Sequence, residues 1–183
     1  MSLISPMKLI QEFPASLSHT KYIHRSREIA RNIIHRKDQR LLVIAGPCSI
    51  HDIHAGYAFA ELLHQAINQF KNDLFIIMRV YFEKPRTTLG WRGLISDPYL
   101  DGSLNINDGL TLARQFLIAL ADLGVPAATE FLDPIIPQYL SDLISWNAVG
   151  ARTAESQPRA EHSEPATGQH PSRSDELSPQ GRG

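Results

Sequence analysis

The chain predicts an α/β protein with a parallel sheet, on three observations. Four short runs rich in apolar and β-branched residues read as strands: LLVIAGPCS (41–49), LFIIMRVYF (74–82), AATEFL (127–132) and WNAVGAR (146–152). Segments with helical apolar spacing lie between them. The polar and charged residues interrupting the strands fall toward their C-terminal ends, the edge at which α/β folds bind ligands. Repeated βα units with right-handed crossovers leave two architectures, an open doubly wound sheet or part of a closed barrel. Periodicity does not choose between them.

Before the first strand, Ile23, Ile29, Ile33 and Ile34 approximate one face of an amphipathic helix from about Lys21 to Arg36. LLVIAGPCS is a continuous apolar run stopped by Gly46 and Pro47, which suits a strand buried on both faces. Asp52 is placed to cap the next helix, whose stripe is Phe59, Leu62, Leu63, Ala66, Ile67 and Phe70. After the second strand, Glu83 to Asn107 exceeds ordinary loop length and reads as a functional loop. Asn107 is the expected cap of a helix running to Leu123, with Gly124 as its stop. A short helix, PQYLSDLIS, opens at Pro137 ahead of the fourth strand.

Composition narrows the class. The chain has 183 residues, 43% of them hydrophobic, enough for a globular core. A formal net charge of −1 gives no global case for nucleic acid or an anionic membrane, so any anion must meet a local cluster. The first residues lack the pattern of a secretory signal, and no apolar run approaches the roughly 20 residues of a membrane helix. One cysteine, Cys48, excludes an internal disulfide framework and fits a reducing compartment. The expectation is a cytoplasmic protein.

Cys48 ends the first strand, Arg79 lies late in the second, and Lys84 and Arg86 follow it; Glu130 is in the third and Arg152 closes the fourth. Four cations converging on one edge suit a substrate carrying phosphate and carboxylate together, since arginine offers a planar fork and lysine a compact charge. Each residue has a plainer reading. Arg79 serves equally as a buried ion-pair partner, Cys48 as a small apolar side chain, and Glu130 as a partner for an arginine. His51 and His54, three apart, default to the surface, and the KPRTT stretch to a solvated turn. A glycine-rich P-loop is absent.

Taken together, GPCSIHD (46–52), MRVYFEKPRTTLGWRGLISDP (78–98), NDGL (107–110), ATEFLDP (128–134) and GARTAESQ (150–157) closely resemble one family. It is the type I, aromatic-amino-acid-regulated class of 3-deoxy-D-arabino-heptulosonate 7-phosphate (DAHP) synthase, and the resemblance runs from about residue 5 to Gln157. It implies the first half of a (β/α)8 TIM barrel with an N-terminal helical extension. It also implies condensation of phosphoenolpyruvate with erythrose 4-phosphate, the first step toward the aromatic amino acids. By the resemblance Cys48 is a ligand of a divalent metal of the Mn, Fe, Co or Zn class. Arg79 and Lys84 are the catalytic residues, and with Glu130 and Arg152 they hold phosphoenolpyruvate. Pro85, Arg86 and Thr87 receive erythrose 4-phosphate. Asp133, Pro137 and Gln138 fall where the feedback amino acid is held. Intact family members are homo-oligomers; neither nucleic acid nor membrane is implied.

The expected organisation is an extension over 1–40 for subunit contacts and regulation, a partial barrel of four strands over 41–157, and a tail over 158–183. The tail has one leucine as its only large apolar residue and is expected to be disordered. The resemblance stops after Gln157, where a change of reading frame is expected. The family continues with a further phosphate-binding lysine and three more metal ligands, a His, a Glu and an Asp, that residues 158–183 do not supply. The chain is therefore expected to be truncated and inactive, with a non-catalytic remnant that at most binds an intact subunit as the alternative. Another phosphoenolpyruvate-condensing barrel, the octulosonate-forming type, fits the EKPRTTLGW block less well.

Overall fold

The computed structural model describes residues 2–84 and 90–150. Four parallel strands, β1 (Leu41–Ala45), β2 (Leu74–Arg79), β3 (Ala127–Phe131) and β4 (Trp146–Val149), form one sheet in the order β1-β2-β3-β4. A doubly wound sheet reverses its strand order at a switch point, whereas a barrel adds each strand beside the last. The unreversed order decides for the barrel, and the four strands with their helices make half of one. Among the described residues both outer strands have one open edge: Leu41 and Val149 are 63% and 80% exposed.

Helix α1 (Pro6–Glu12) is capped by the Ser5 hydroxyl, and α2 (Leu17–Ile34) by a capping box between Ser16 and His19. The His19 ring also reaches Asp122, at 2.6 Å. Helix α3 (Ile53–Gln69) follows β1 and α4 (Ile106–Leu123) follows β2. The short α5 (Pro137–Leu140) continues as a 3-10 turn to Leu143. As expected, Asp52 caps α3, accepting from the His54 and Ala55 amides, and Gly124 closes α4 in the left-handed region at φ 77°.

Three expectations are corrected. Asn105, not Asn107, caps α4. Asn107 instead turns to the N-terminal segment, accepting from the Ile4 amide at 2.8 Å and donating to the Ser2 carbonyl at 3.0 Å. On α3 the buried line is Gly56, Ala60 and Leu63, while Leu62 and Phe70 are exposed. Small residues let α3 lie close to the core, and Phe116 of α4 packs against Tyr57 and Phe82 at 4.9 and 6.2 Å between ring centres. Strands β1 and β2 also end earlier than their apolar runs, leaving 46–49 and 80–84 for the site.

The extension packs against the barrel helices. Arg114 of α4 has no exposed surface. It donates to the Phe13 carbonyl (2.7 Å), the Tyr139 carbonyl (2.7 Å) and both oxygens of Asp142 (2.9 and 2.8 Å). The Tyr139 hydroxyl donates to the Ile4 carbonyl at 2.6 Å. Arg27 of α2 donates to the Ser141 and Ile144 carbonyls, holding the turn before β4.

Replacing Arg114 with methionine leaves two carbonyls without donors and a carboxylate without its partner. Asp142 is 38% exposed and gains water in compensation, so we place the loss near the low end for a broken buried pair, about 3 kcal/mol. Urea unfolding of the wild-type and Arg114→Met chains measures it, and a loss below about 1 kcal/mol would show the cluster to be incidental.

Candidate functional site

The site forms where β1 and β2 end. Gly46 packs so closely on β2 that a Cβ there would overlap the Arg79 carbonyl oxygen and sit 2.9 Å from the Arg79 Cβ. This absence of a side chain lets the 46–48 turn lie directly against Arg79. The Arg79 guanidinium donates to the Pro47 carbonyl. Its Cζ lies 3.6 Å from the centre of the Tyr81 ring, a cation–π contact that fixes the plane of the fork.

Lys84 comes to the same place from beyond β2. Its backbone amide donates to the Arg92 carbonyl at 2.9 Å, and its ammonium lies 2.8 Å from Cys48 Sγ. The Cys48 carbonyl is 3.4 Å from the same ammonium. Cys48 is exposed. Its thiol is held below the ordinary range, first by the Lys84 hydrogen bond and charge, which outweigh the opposing desolvation, and only then by the lesser effect of Arg79. An ammonium has three donors and a guanidinium five. Neither group is saturated by these contacts, so both retain hydrogens for an oxyanion.

The loop after Lys84 is folded rather than extended. Trp91 donates through its indole to the Asp97 carbonyl at 2.7 Å, and Leu94 and Ile95 are buried against the core. Glu130 is half-buried on β3 in register with Ala148. A Cβ at Gly150 would sit 2.9 Å from its Oε1, so the chain leaving β4 passes close by.

Of the residues singled out in the sequence, Cys48, Arg79 and Lys84 are brought together. Pro85, Arg86, Thr87 and Arg152 lie outside the described residues, as does the segment 158–183. His51 meets the edge of Trp91, with ring centres 6.5 Å apart, and His54 lies on the exposed first turn of α3. Asp133 accepts from the Ile135 and Ile136 amides at 2.6 and 2.9 Å, which shapes the entry to α5. Asp133 and Pro137 line an open groove of about 520 Å³ with Asn147 and Val149, whereas Gln138 is exposed and donates to the Pro134 carbonyl at 3.3 Å. Tyr81 was missed by sequence reasoning; its spacing of two from Arg79 in an extended segment is the signal that finds it.

Whether these residues suit a metal is a question of donors. A thiol biased toward thiolate is a sound soft ligand. Among the described residues, however, no group of three or more His, Cys, Asp or Glu side chains gathers that could hold an ion. Cys48 by itself is one donor, not a site, and no chemical step is assigned here to a metal.

The sequence model of the DAHP synthetase I family matches residues 12–168, running past Gln157. The chain is 54% identical over 159 residues to a phospho-2-dehydro-3-deoxyheptonate aldolase of Haemophilus influenzae, covering 87% of this chain and 44% of that protein. It is 51% identical to the Phe-sensitive enzyme of that name from Escherichia coli K12, covering 87% and 45%. Relatives named Tyr-sensitive and Trp-sensitive stand at 50% and 51%, so identity does not select among effectors. A solved phospho-2-dehydro-3-deoxyheptonate aldolase from Francisella tularensis superposes with a TM-score of 0.80 at 52% identity, covering 86% of this chain and 46% of that one. The chain thus spans about half the length of the relatives it matches.

The Lys84–Cys48 contact sets a pH dependence. A thiol whose pKa is depressed is alkylated at lower pH than a free thiol, whose pKa is about 8.5. Iodoacetamide labelling of Cys48 should therefore show its midpoint below that value, and Lys84→Met should move the midpoint upward. An unmoved midpoint would remove Lys84 as the cause.

Proposed function

The chain belongs to the DAHP synthetase I family, and from that membership we propose that the edge carrying Cys48, Arg79 and Lys84 is the phosphoenolpyruvate side of a DAHP synthase active site. The observation that carries this reading is the contact of Lys84 with Cys48, beside Arg79. It joins a poised thiol to two unsaturated cations at the C-terminal end of parallel strands, where barrels bind substrate.

The reaction in view condenses phosphoenolpyruvate, erythrose 4-phosphate and water to DAHP and phosphate. C3 of phosphoenolpyruvate forms a bond to the aldehyde carbon, whose oxygen takes up a proton. Water adds at C2, and loss of phosphate breaks a C–O bond there to leave the ketone. Arg79, its plane fixed by Tyr81 and the Pro47 carbonyl, is suited to a bidentate contact with a carboxylate or phosphate. Lys84 adds a mobile point charge and is placed to relieve the developing negative charge. Glu130 is proposed to line the phosphoenolpyruvate site and Arg152 to supply another cation. Pro85, Arg86 and Thr87 are proposed to receive erythrose 4-phosphate. Holding both substrates in attack geometry is the larger part of what such side chains contribute.

Cys48 is proposed as one ligand of a divalent metal of the Mn, Fe, Co or Zn class, which when bound supplies Lewis acidity. Its other donors are not gathered among the described residues. By family, the finer expectations are an aromatic amino acid held near Asp133, Pro137 and Gln138, subunit contacts through the extension 1–40, and a cytoplasmic location. Among the described residues no helix is long and apolar enough to cross a membrane.

Phosphorus NMR titration of the purified chain with phosphoenolpyruvate tests the anion site. Binding is expected, weakened about tenfold by Arg79→Met or Lys84→Met, as the loss of a charge-assisted hydrogen bond implies. Equal affinity in both variants would overturn the assignment. In the presence of erythrose 4-phosphate and Mn²⁺ the chain is expected to release no phosphate, since one thiol does not hold a selective ion. Turnover would show that the described donors suffice. Binding without turnover favours the reading of a non-catalytic half.

A further inference from the structure

A second cavity lies at the opposite end of the strands. It is about 200 Å³ in volume and is built where three strands begin: Arg40 directly precedes β1, Lys71 lies just before β2, and Pro126 directly precedes β3. Helix α2 supplies a further wall through Tyr22, Arg25, Ser26 and Ile29. All of these belong to the described barrel half and its extension, and only Arg40 adjoins an outer strand.

Its lining is chemically lopsided. Three residues, Arg25, Arg40 and Lys71, carry positive charge, and among the described residues no acidic one lines the cavity. Arg40 is already neutralised: it donates to both oxygens of Asp38, holding that carboxyl down at about 2, and to the Lys71 carbonyl. Arg25 and Lys71 are exposed at the rim, and among the described residues neither side chain has a hydrogen bond or ion pair. Beneath them the surface is apolar, with Ile29, Ile67, Leu74 and Phe75 all partly buried. Two hydroxyls, Tyr22 and the 2%-exposed Ser26, hydrogen-bond each other and add neutral polar groups, and burial pushes the Tyr22 hydroxyl far up. Small-molecule sites have this composition, an apolar body with a few polar groups that fix orientation.

We propose that this cavity binds a small organic carboxylate with a compact apolar body, of the size of benzoate, its anionic end held by Arg25 and Lys71. The absence of any acid in the lining sharpens the class. The ammonium of a free amino acid would find cations and hydroxyls there but, among the described residues, no carboxylate to offset its desolvation. Amino acids are therefore expected to bind more weakly than a simple carboxylate, and so is a purely neutral aromatic, which leaves the rim charges unused. The inference is independent of the phosphoenolpyruvate edge.

Fluorine NMR line broadening of 4-fluorobenzoate by the whole chain tests it. Broadening is expected with wild type, with Lys84→Met, and in the presence of excess phenylalanine. It should fall by about tenfold or more in the Arg25→Met, Lys71→Met double variant, because two charge-assisted contacts are lost while the apolar stems remain. The neutral 4-fluorobenzyl alcohol should not broaden. Both substituted residues are exposed, and far-UV circular dichroism with the two single variants separates lost binding from lost folding. Undiminished broadening in the double variant, loss in Lys84→Met, competition by phenylalanine, or equal broadening of the alcohol would each overturn the proposal.

Discussion

A single buried guanidinium organises this half-barrel. Arg114 takes the first segment of the extension, the last turn of α5 and the acid of the 3-10 turn into one cluster. A charge with no exposed surface is tolerable only when each donor finds an acceptor, and here two carbonyls and a carboxylate supply them. Because those acceptors come from two separate parts of the chain and Arg114 itself from a third, satisfying one ion fixes the mutual positions of all three. Tyr139 and Asn107 extend the same logic to residues 2–4. The N-terminal extension is thereby part of the core rather than an appendage.

That scaffold matters to the site because it frees the strand ends for chemistry. The sheet interior is apolar, and β1 and β2 stop before their apolar runs do. The residues left over turn across one another, with Gly46 allowing the backbone of one turn to touch the next strand. Two cations then stand beside one thiol, an arrangement that favours the thiolate and leaves hydrogens for an anionic ligand. A chain spanning under half the length of its relatives still assembles this corner, because all of its parts lie within two consecutive βα units.

Much of this was legible beforehand. Asp52 and Gly124 announced the ends of their helices, since capping is local chemistry between neighbours. The convergence of Cys48, Arg79 and Lys84 followed from their common place at strand ends. The misreadings have a different origin. Asn105 and Asn107 have equal local capacity to cap, and only the arrival of residues 2–4 beside α4 makes Asn107 more useful elsewhere. Leu62 and Phe70 fit a helical stripe, yet the face that turned inward is the one whose Gly56 and Ala60 allow closer packing. His51 and His54, by contrast, stay on the surface as expected.

The sequence by itself determined the class of fold, the four strands, the family resemblance and the residue types at the candidate edge. Those properties are carried by periodicity, by local turn chemistry and by motifs contiguous along the chain. The resemblance already implied a barrel; the tertiary structure alone decided that the buried Arg114 joins the extension to the barrel helices and that a cationic cavity opens at the far end of the sheet. Each of these depends on which distant segments pack together. Local pattern constrains that choice without making it, and burial of charge and apolar surface does make it.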